Sequence, residues 1–154
     1  MSAYATLTVD EIRAALEADQ FLFFYQPKVS FLTGRITGGE ALIRWRKPDG
    51  MLIPPAAFIQ VAEDAGFISE ITQRMFPRLL ADYRILSQQH DGHVAFNVSA
   101  SDLQHETLVI AIERAIEDGH IPADRLRLEV TEAAALSTSA EMRDWVGRLV
   151  KRGV

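Results

Sequence analysis

Cysteine is absent from the 154 residues, which excludes disulfides, thiolate zinc sites and a cysteine nucleophile. No apolar run approaches the ~20 residues that a membrane-spanning helix needs. The opening MSAYATLTVDE lacks the basic-then-apolar pattern of a secretory signal, so the cytoplasm is the expected location. Basic residues are the minority, 16 against 21 acidic, for a net charge of −5. Binders of nucleic-acid polymers more often carry a basic excess or stripe, and Arg44/Arg46/Lys47 and Lys151/Arg152 are only small clusters. The patterns GxGxxG, GxxxxGK followed by Ser or Thr, and HExxH are all missing. His90, His93, His105 and His120 share no metal-ligand spacing; His93 opens an apolar segment and reads as a structural histidine.

What is present is the composition of an ordinary globular protein, 48% hydrophobic and 24% charged, long enough for one domain with a substantial core. Thr8 and Glu11 match a capping box, with Val9, Ile12 and Leu16 at helical spacing, which predicts a helix over 8–18. FLFFYQPKV (21–29) and RITGGEALIRW (35–45) read as strands around a turn carrying Gly34, and KPDG (47–50) as a second turn. A helix follows Pro54-Pro55 and stops at Gly66. A longer one covers 68–89, with Pro77 expected to kink or split it. Strands at 93–99 and 125–131 alternate with helices at 105–118 and 139–152. Alternating strands and helices predict a single α/β domain with a mostly parallel sheet. Gly153 has the place of a left-handed helix stop, and the alternation then demands another strand. The expectation is a portion of a larger domain, or a sheet that another chain completes.

Side chains of a strand alternate between faces. One face carries Phe23 and Tyr25, then Ala41, Ile43 and Trp45, then Val94, Phe96 and Val98, then Leu126, Leu128 and Val130. The other repeatedly carries polar groups near the strand's carboxyl end: Gln26, Glu40 and Arg44, Asn97, Glu129. Helices on both sides of an open parallel sheet would demand apolar residues on both faces. Two arrangements fit the polar face, a half-exposed antiparallel sheet and the lumen of a barrel. Four strands with intervening helices favour the barrel, a (β/α)8 type whose site forms at the strands' carboxyl ends. Such barrels take roughly 250 residues, so the chain holds somewhat over half of one. Glu40 and Arg44 stand about 13 Å apart along one strand, too far to neutralise each other.

Glu40, Asn97 and Glu129 supply two carboxylates and an amide from three strands, hard oxygen donors suited to Mg²⁺, Mn²⁺ or Ca²⁺. Arg44 on the same face is a fixed cation suited to phosphate. Metal-assisted phosphoester hydrolysis is the chemistry this suggests. Glu132 reads either as a cap for the next element or as a carboxylate supporting the site.

The order YQPKVSFLTGRITGGEALIRW (25–45), PPAAFIQVAEDAG (54–66), FNVSASDL (96–103) and LRLEVTEAAAL (126–136) resembles the EAL domain family of cyclic di-GMP phosphodiesterases, from about residue 8 onwards. The resemblance implies a modified TIM barrel, here about its first half or slightly more, whose first strand runs antiparallel. It implies hydrolysis of cyclic di-GMP to linear pGpG with Mg²⁺ or Mn²⁺. Glu40, Asn97 and Glu129 match the family's metal ligands, Gln26, Leu42 and Arg44 its substrate contacts, and Glu132 a glutamate that steadies a neighbouring loop. A DDFG-type motif with further acidic, lysine and glutamine residues is expected beyond the matched segments. Without them the 154 residues alone are expected to be inactive. A non-catalytic cyclic di-GMP receptor or an interaction module is the alternative. The resemblance also allows a homodimer, and a parent protein with sensor or GGDEF-type domains.

Overall fold

A computed structural model of the chain describes residues 7–130 and 139–154. Helix α1 (Val9–Glu17) opens on the expected capping box. The Glu11 N–H donates to Thr8 Oγ1 at 3.3 Å, and the Thr8 N–H donates back to the Glu11 carboxylate at 2.8 Å. Strands β1 (Phe21–Val29) and β2 (Ile36–Arg46) form an antiparallel hairpin, closed by a turn in which Gly34 takes a left-handed φ of 68°. A two-residue strand β3 (Leu52–Ile53) pairs with Trp45 and Arg46. Helices α2 (Pro55–Asp64) and α3 (Ile68–Leu86) lead to β4 (His93–Val98), α4 (Glu106–Glu117), β5 (Leu126–Val130) and α5 (Ala140–Arg152). The sheet order is β1-β2-β4-β5, with β3 beside β2; β1 is antiparallel to β2, while β2, β4 and β5 run parallel. No helix among the described residues is long and apolar enough to cross a membrane.

Two features refine the sequence reading. The short strand β3 falls within what read as a connection, because two residues carry no usable periodicity. Pro77 does not split its helix, which runs unbroken from Ile68 to Leu86. Proline withholds one hydrogen bond from the carbonyl four residues back, that of Gln73. Gln73 and Pro77 are both exposed, so water can take that bond.

Helices pack on the apolar face as the alternation requires. Phe21, Trp45 and Phe58 form a triangle with ring centroids 5.2–6.1 Å apart. Phe96 joins Phe23 and Phe76 at 6.1 and 5.8 Å, tying β1 and β4 to α3. The Tyr25 hydroxyl donates to Asp82 Oδ2 of α3 at 3.0 Å; burial, then the Asp82 charge, pushes its phenol well above the ordinary range. Val130 departs from the pattern, ending β5 exposed. Between α4 and α5, Arg148 pairs with Glu106 and Glu113, and Arg152 with Glu113 and Glu117.

Among the glycines, the closest packing lies where β2 meets β4. A Cβ at Gly38 would overlap the His93 carbonyl oxygen and stand 2.6 Å from its Nδ1, and one at Gly92 would stand 2.9 Å from the Gly38 Cα. A Cβ at neighbouring Gly39 would meet nothing closer than 3.7 Å. Gly38→Ala is therefore expected to cost about 3 kcal/mol, the upper range for overpacking, and Gly39→Ala little. Urea unfolding of the two variants checks this; equal midpoints would contradict it.

Candidate functional site

The pairing register converts strand alternation into rows across the second face. Lys28, Gly38 and His93 form one row. Gln26, Glu40, Ala95 and Arg127 form the next, towards the carboxyl ends of the parallel strands. Beyond it Phe24 faces Leu42 across β1 and β2, Asn97 faces Glu129 across β4 and β5, and Leu22 then faces Arg44. Lys28 on β1 forms an ion pair with Glu129 on β5, although three strand spacings, roughly 14 Å in a flat sheet, separate the two strands. Nearly fully stretched side chains would be needed on a flat sheet, so the pair marks this face as concave.

Asn97 Nδ2 donates to Glu40 Oε1 at 3.0 Å. Arg44 Nη1 donates to the Ile43 carbonyl at 2.8 Å, and the guanidinium lies 5.7 Å from the centre of the exposed Phe24 ring. Glu40 and Arg44 thus take different partners, as their separation required. The structure brings Gln26, Glu40, Leu42, Arg44, Asn97 and Glu129 onto one concave face. Glu132 lies outside the described residues. Lys28 and Arg127 were missed as site residues, though each sits two positions from one that was picked, Gln26 and Glu129, and shares its face. Arg127 makes no hydrogen bond or ion pair among the described residues.

Beside Leu42 and Asn97 opens a cavity of about 250 Å³. Pro55, Ile59, Ile68 and Met75 give it apolar walls, and Asp102 and Glu63 are its carboxylates.

A protein-family model, the EAL domain, matches residues 9–154. The chain belongs to the EAL domain family. The cyclic di-GMP phosphodiesterase NbdA of Pseudomonas aeruginosa is 36% identical over 149 residues, which cover 94% of this chain and 19% of NbdA. The cyclic di-GMP phosphodiesterase RocR of the same organism is 30% identical over 143 residues, 92% of this chain and 36% of RocR. Among solved structures, the MucR phosphodiesterase in complex with cyclic di-GMP superposes with a TM-score of 0.81 at 32% identity, covering 95% of this chain and 60% of that one. The chain thus spans just under a fifth of one of these curated relatives and just over a third of the other, and its fold is the matching part of a TIM-type barrel.

In this EAL domain the oxygen-bearing side chains that neighbouring strands bring to the concave face include two carboxylates and an amide. Among the described residues no three His, Cys, Asp or Glu side chains are grouped to hold a metal. Glu40, Asn97 and Glu129 nevertheless fit Mg²⁺ or Mn²⁺ by donor chemistry, since all can offer oxygen from neighbouring strands. The Lys28 ammonium is the cation that Glu129 holds in this arrangement.

His93, buried at the floor of the face, carries an Nε2 without a partner among the described residues. Burial first, then the Arg127 guanidinium and the Lys28 ammonium, hold its imidazole below the ordinary range; a backbone hydrogen bond at Thr37 and the Glu129 charge oppose this. With the folded pKa below the unfolded value of about 6.5, the unfolded chain takes the proton first. Its contribution to stability is present above pH 6.5 and is lost as pH falls through the folded value. Urea midpoints at pH 7.5 and 5.5 should differ less in His93→Gln than in the unsubstituted chain; an unchanged difference would show that His93 titrates normally.

Proposed function

We propose that this EAL domain binds cyclic di-GMP and, as part of its parent protein in the cytoplasm, hydrolyses one phosphodiester bond to give linear pGpG with Mg²⁺ or Mn²⁺. The observation that carries this reading is the convergence of Glu40, Asn97 and Glu129 from three neighbouring strands of one concave face, with Gln26 and Arg44 on the same face. The metal, when bound, offsets phosphate charge and makes water acidic enough to serve as a nucleophile. Glu40, Asn97 and Glu129 would hold it. Arg44, kept in place by the Ile43 carbonyl and the Phe24 ring, takes a phosphate oxygen. Gln26, opposite Glu40, offers its amide to the same backbone or the sugar. The cavity beside Leu42 receives one guanine base. The family resemblance puts the remaining water-activating groups beyond this segment, so binding is the readout for the chain and hydrolysis for the longer protein.

The expected outcome is Mn²⁺ binding by calorimetry that Glu40→Ala abolishes, and cyclic di-GMP binding that Arg44→Ala weakens roughly tenfold or more, a charge-assisted bond's share. In the parent protein, Glu40→Ala should abolish conversion to pGpG followed by chromatography. The engagement of Glu129 by Lys28 favours a second reading, a receptor that holds cyclic di-GMP without cleaving it. Tight binding by the parent with no turnover in either metal would decide for the receptor.

Lys28 and a divalent cation compete for Glu129 on this reading. Lys28→Met should tighten Mn²⁺ binding roughly two- to fivefold, the scale of a partly exposed ion pair. Unchanged Mn²⁺ affinity would remove Glu129 from the ligand set or Lys28 from the competition, and Glu129→Gln tells the two apart.

A further inference from the structure

Phe24 lies on the concave face of β1, opposite Leu42, and 42% of it is exposed. Phe21 and Phe23 of the same strand face the other way and are buried. A single exposed phenylalanine is ordinary on a protein surface, but the surroundings of this one are not. Glu40 and Arg44 occupy the two diagonal positions across β2, within reach of an aromatic side chain. Gln26 is the next residue along β1 on the same face. Phe24 is therefore bordered by the groups read above as contacts to metal, phosphate and sugar.

Within the chain the ring is little used. The Arg44 guanidinium lies 5.7 Å from its centre, near the ~6 Å limit of a cation–π contact. Among the described residues no other aromatic ring packs on it. It is also the one exposed aromatic ring that the described strands place on this face.

Cyclic di-GMP carries two guanines. The cavity beside Leu42 receives one, and Phe24 is not part of its lining. Each base of a cyclic dinucleotide hangs on a ribose joined to both phosphates. The second base therefore lies within one sugar of the phosphate that Arg44 takes, and Phe24 is the open ring beside Arg44. We propose that Phe24 is the stacking platform for the guanine outside the cavity, a further binding residue for the dinucleotide. This rests on the reading that the chain binds cyclic di-GMP. Stacking on an aromatic side chain uses the π-face that every base has and needs no matched hydrogen-bond donors. Leu42 then separates two base sites, with the cavity on one flank and Phe24 on the other.

The test is calorimetric binding of cyclic di-GMP to the unsubstituted chain, Phe24→Ala, Phe24→Leu, Phe24→Trp and Arg44→Ala, at low and physiological salt, with urea midpoints alongside. Phe24→Ala should bind roughly 5- to 150-fold more weakly, the range for losing one base–aromatic stack. Phe24→Leu keeps apolar bulk without a π-face and should recover little of that loss. Phe24→Trp should retain binding, and its indole emission should quench with ligand above the signal of Trp45 and Trp145. Salt dependence separates stacking from support of Arg44. Losing a phosphate contact flattens the fall of affinity with salt, so Arg44→Ala should flatten it and Phe24→Ala should not. Full affinity in Phe24→Ala or Phe24→Leu would overturn the assignment alone. So would a Phe24→Ala salt dependence as flat as that of Arg44→Ala, or no quenching in Phe24→Trp. Failure of the unsubstituted chain to bind cyclic di-GMP would overturn the underlying reading and this one with it.

Discussion

Where β2 passes β4, the backbone of Gly38 lies against Gly92 and His93 with no room for a Cβ on either glycine. That contact admits one register. In it Glu40 is paired with Ala95, and Ala41 with Phe96. A slip by one residue would exchange the faces of β2 and carry Glu40 and Arg44 under the helices. It would also turn Ala41 and Trp45, now 2% and 3% exposed, towards the concave side. An unpaired charge in that aromatic layer costs several kcal/mol, so the glycine contact and the hydrophobic layer enforce the same register. The antiparallel partner β1 is then placed by its own pairing to β2, which sets Gln26 opposite Glu40.

The concave face follows from this placement, and its charges are not self-neutralising. Lys28, Arg44 and Arg127 are cations against the anions Glu40 and Glu129 on the described part of the face. Glu129 is matched by Lys28 and Glu40 by the Asn97 amide, whereas Arg44 has only a carbonyl and an aromatic ring. Arg127 has no partner among the described residues. Two guanidiniums that form no ion pair among the described residues suit an anionic ligand, and planar bidentate donors suit phosphate better than a compact ion. The chain as a whole carries a net charge of −5, so this preference belongs to the face and not to the molecule.

Much of this was legible from strand alternation. The apolar set Phe23, Ala41, Trp45, Val94, Phe96 and Leu126 is buried, and the polar set Gln26, Glu40, Arg44, Asn97 and Glu129 shares the opposite face. The end signals at Thr8, Gly66 and Gly153 also hold. What escaped depends on contacts that one-dimensional patterns do not carry. Lys28 meets Glu129 across 101 positions of sequence, and only the curvature of the sheet brings them together. Strand β3 exists because Trp45 and Arg46 offer it an edge, not because Leu52 and Ile53 show a period.

The cavity beside Leu42 joins the two faces. Its walls include Phe23 and Phe96 from the aromatic layer, Ile71 and Met75 from α3, and Leu42 and Asn97 from the concave side. The helices that bury the apolar face therefore also shape the cavity, and α3 contributes to both through Ile71, Thr72, Met75 and Phe76. Packing beneath α3 and the shape of the cavity are coupled for this reason. A change of side-chain volume at Met75 alters the depth of the cavity, whereas one at Leu79, fully buried on the same helix but absent from the lining, acts on stability without that route. The site is thus less a set of residues grafted onto a finished barrel than the open margin of its core.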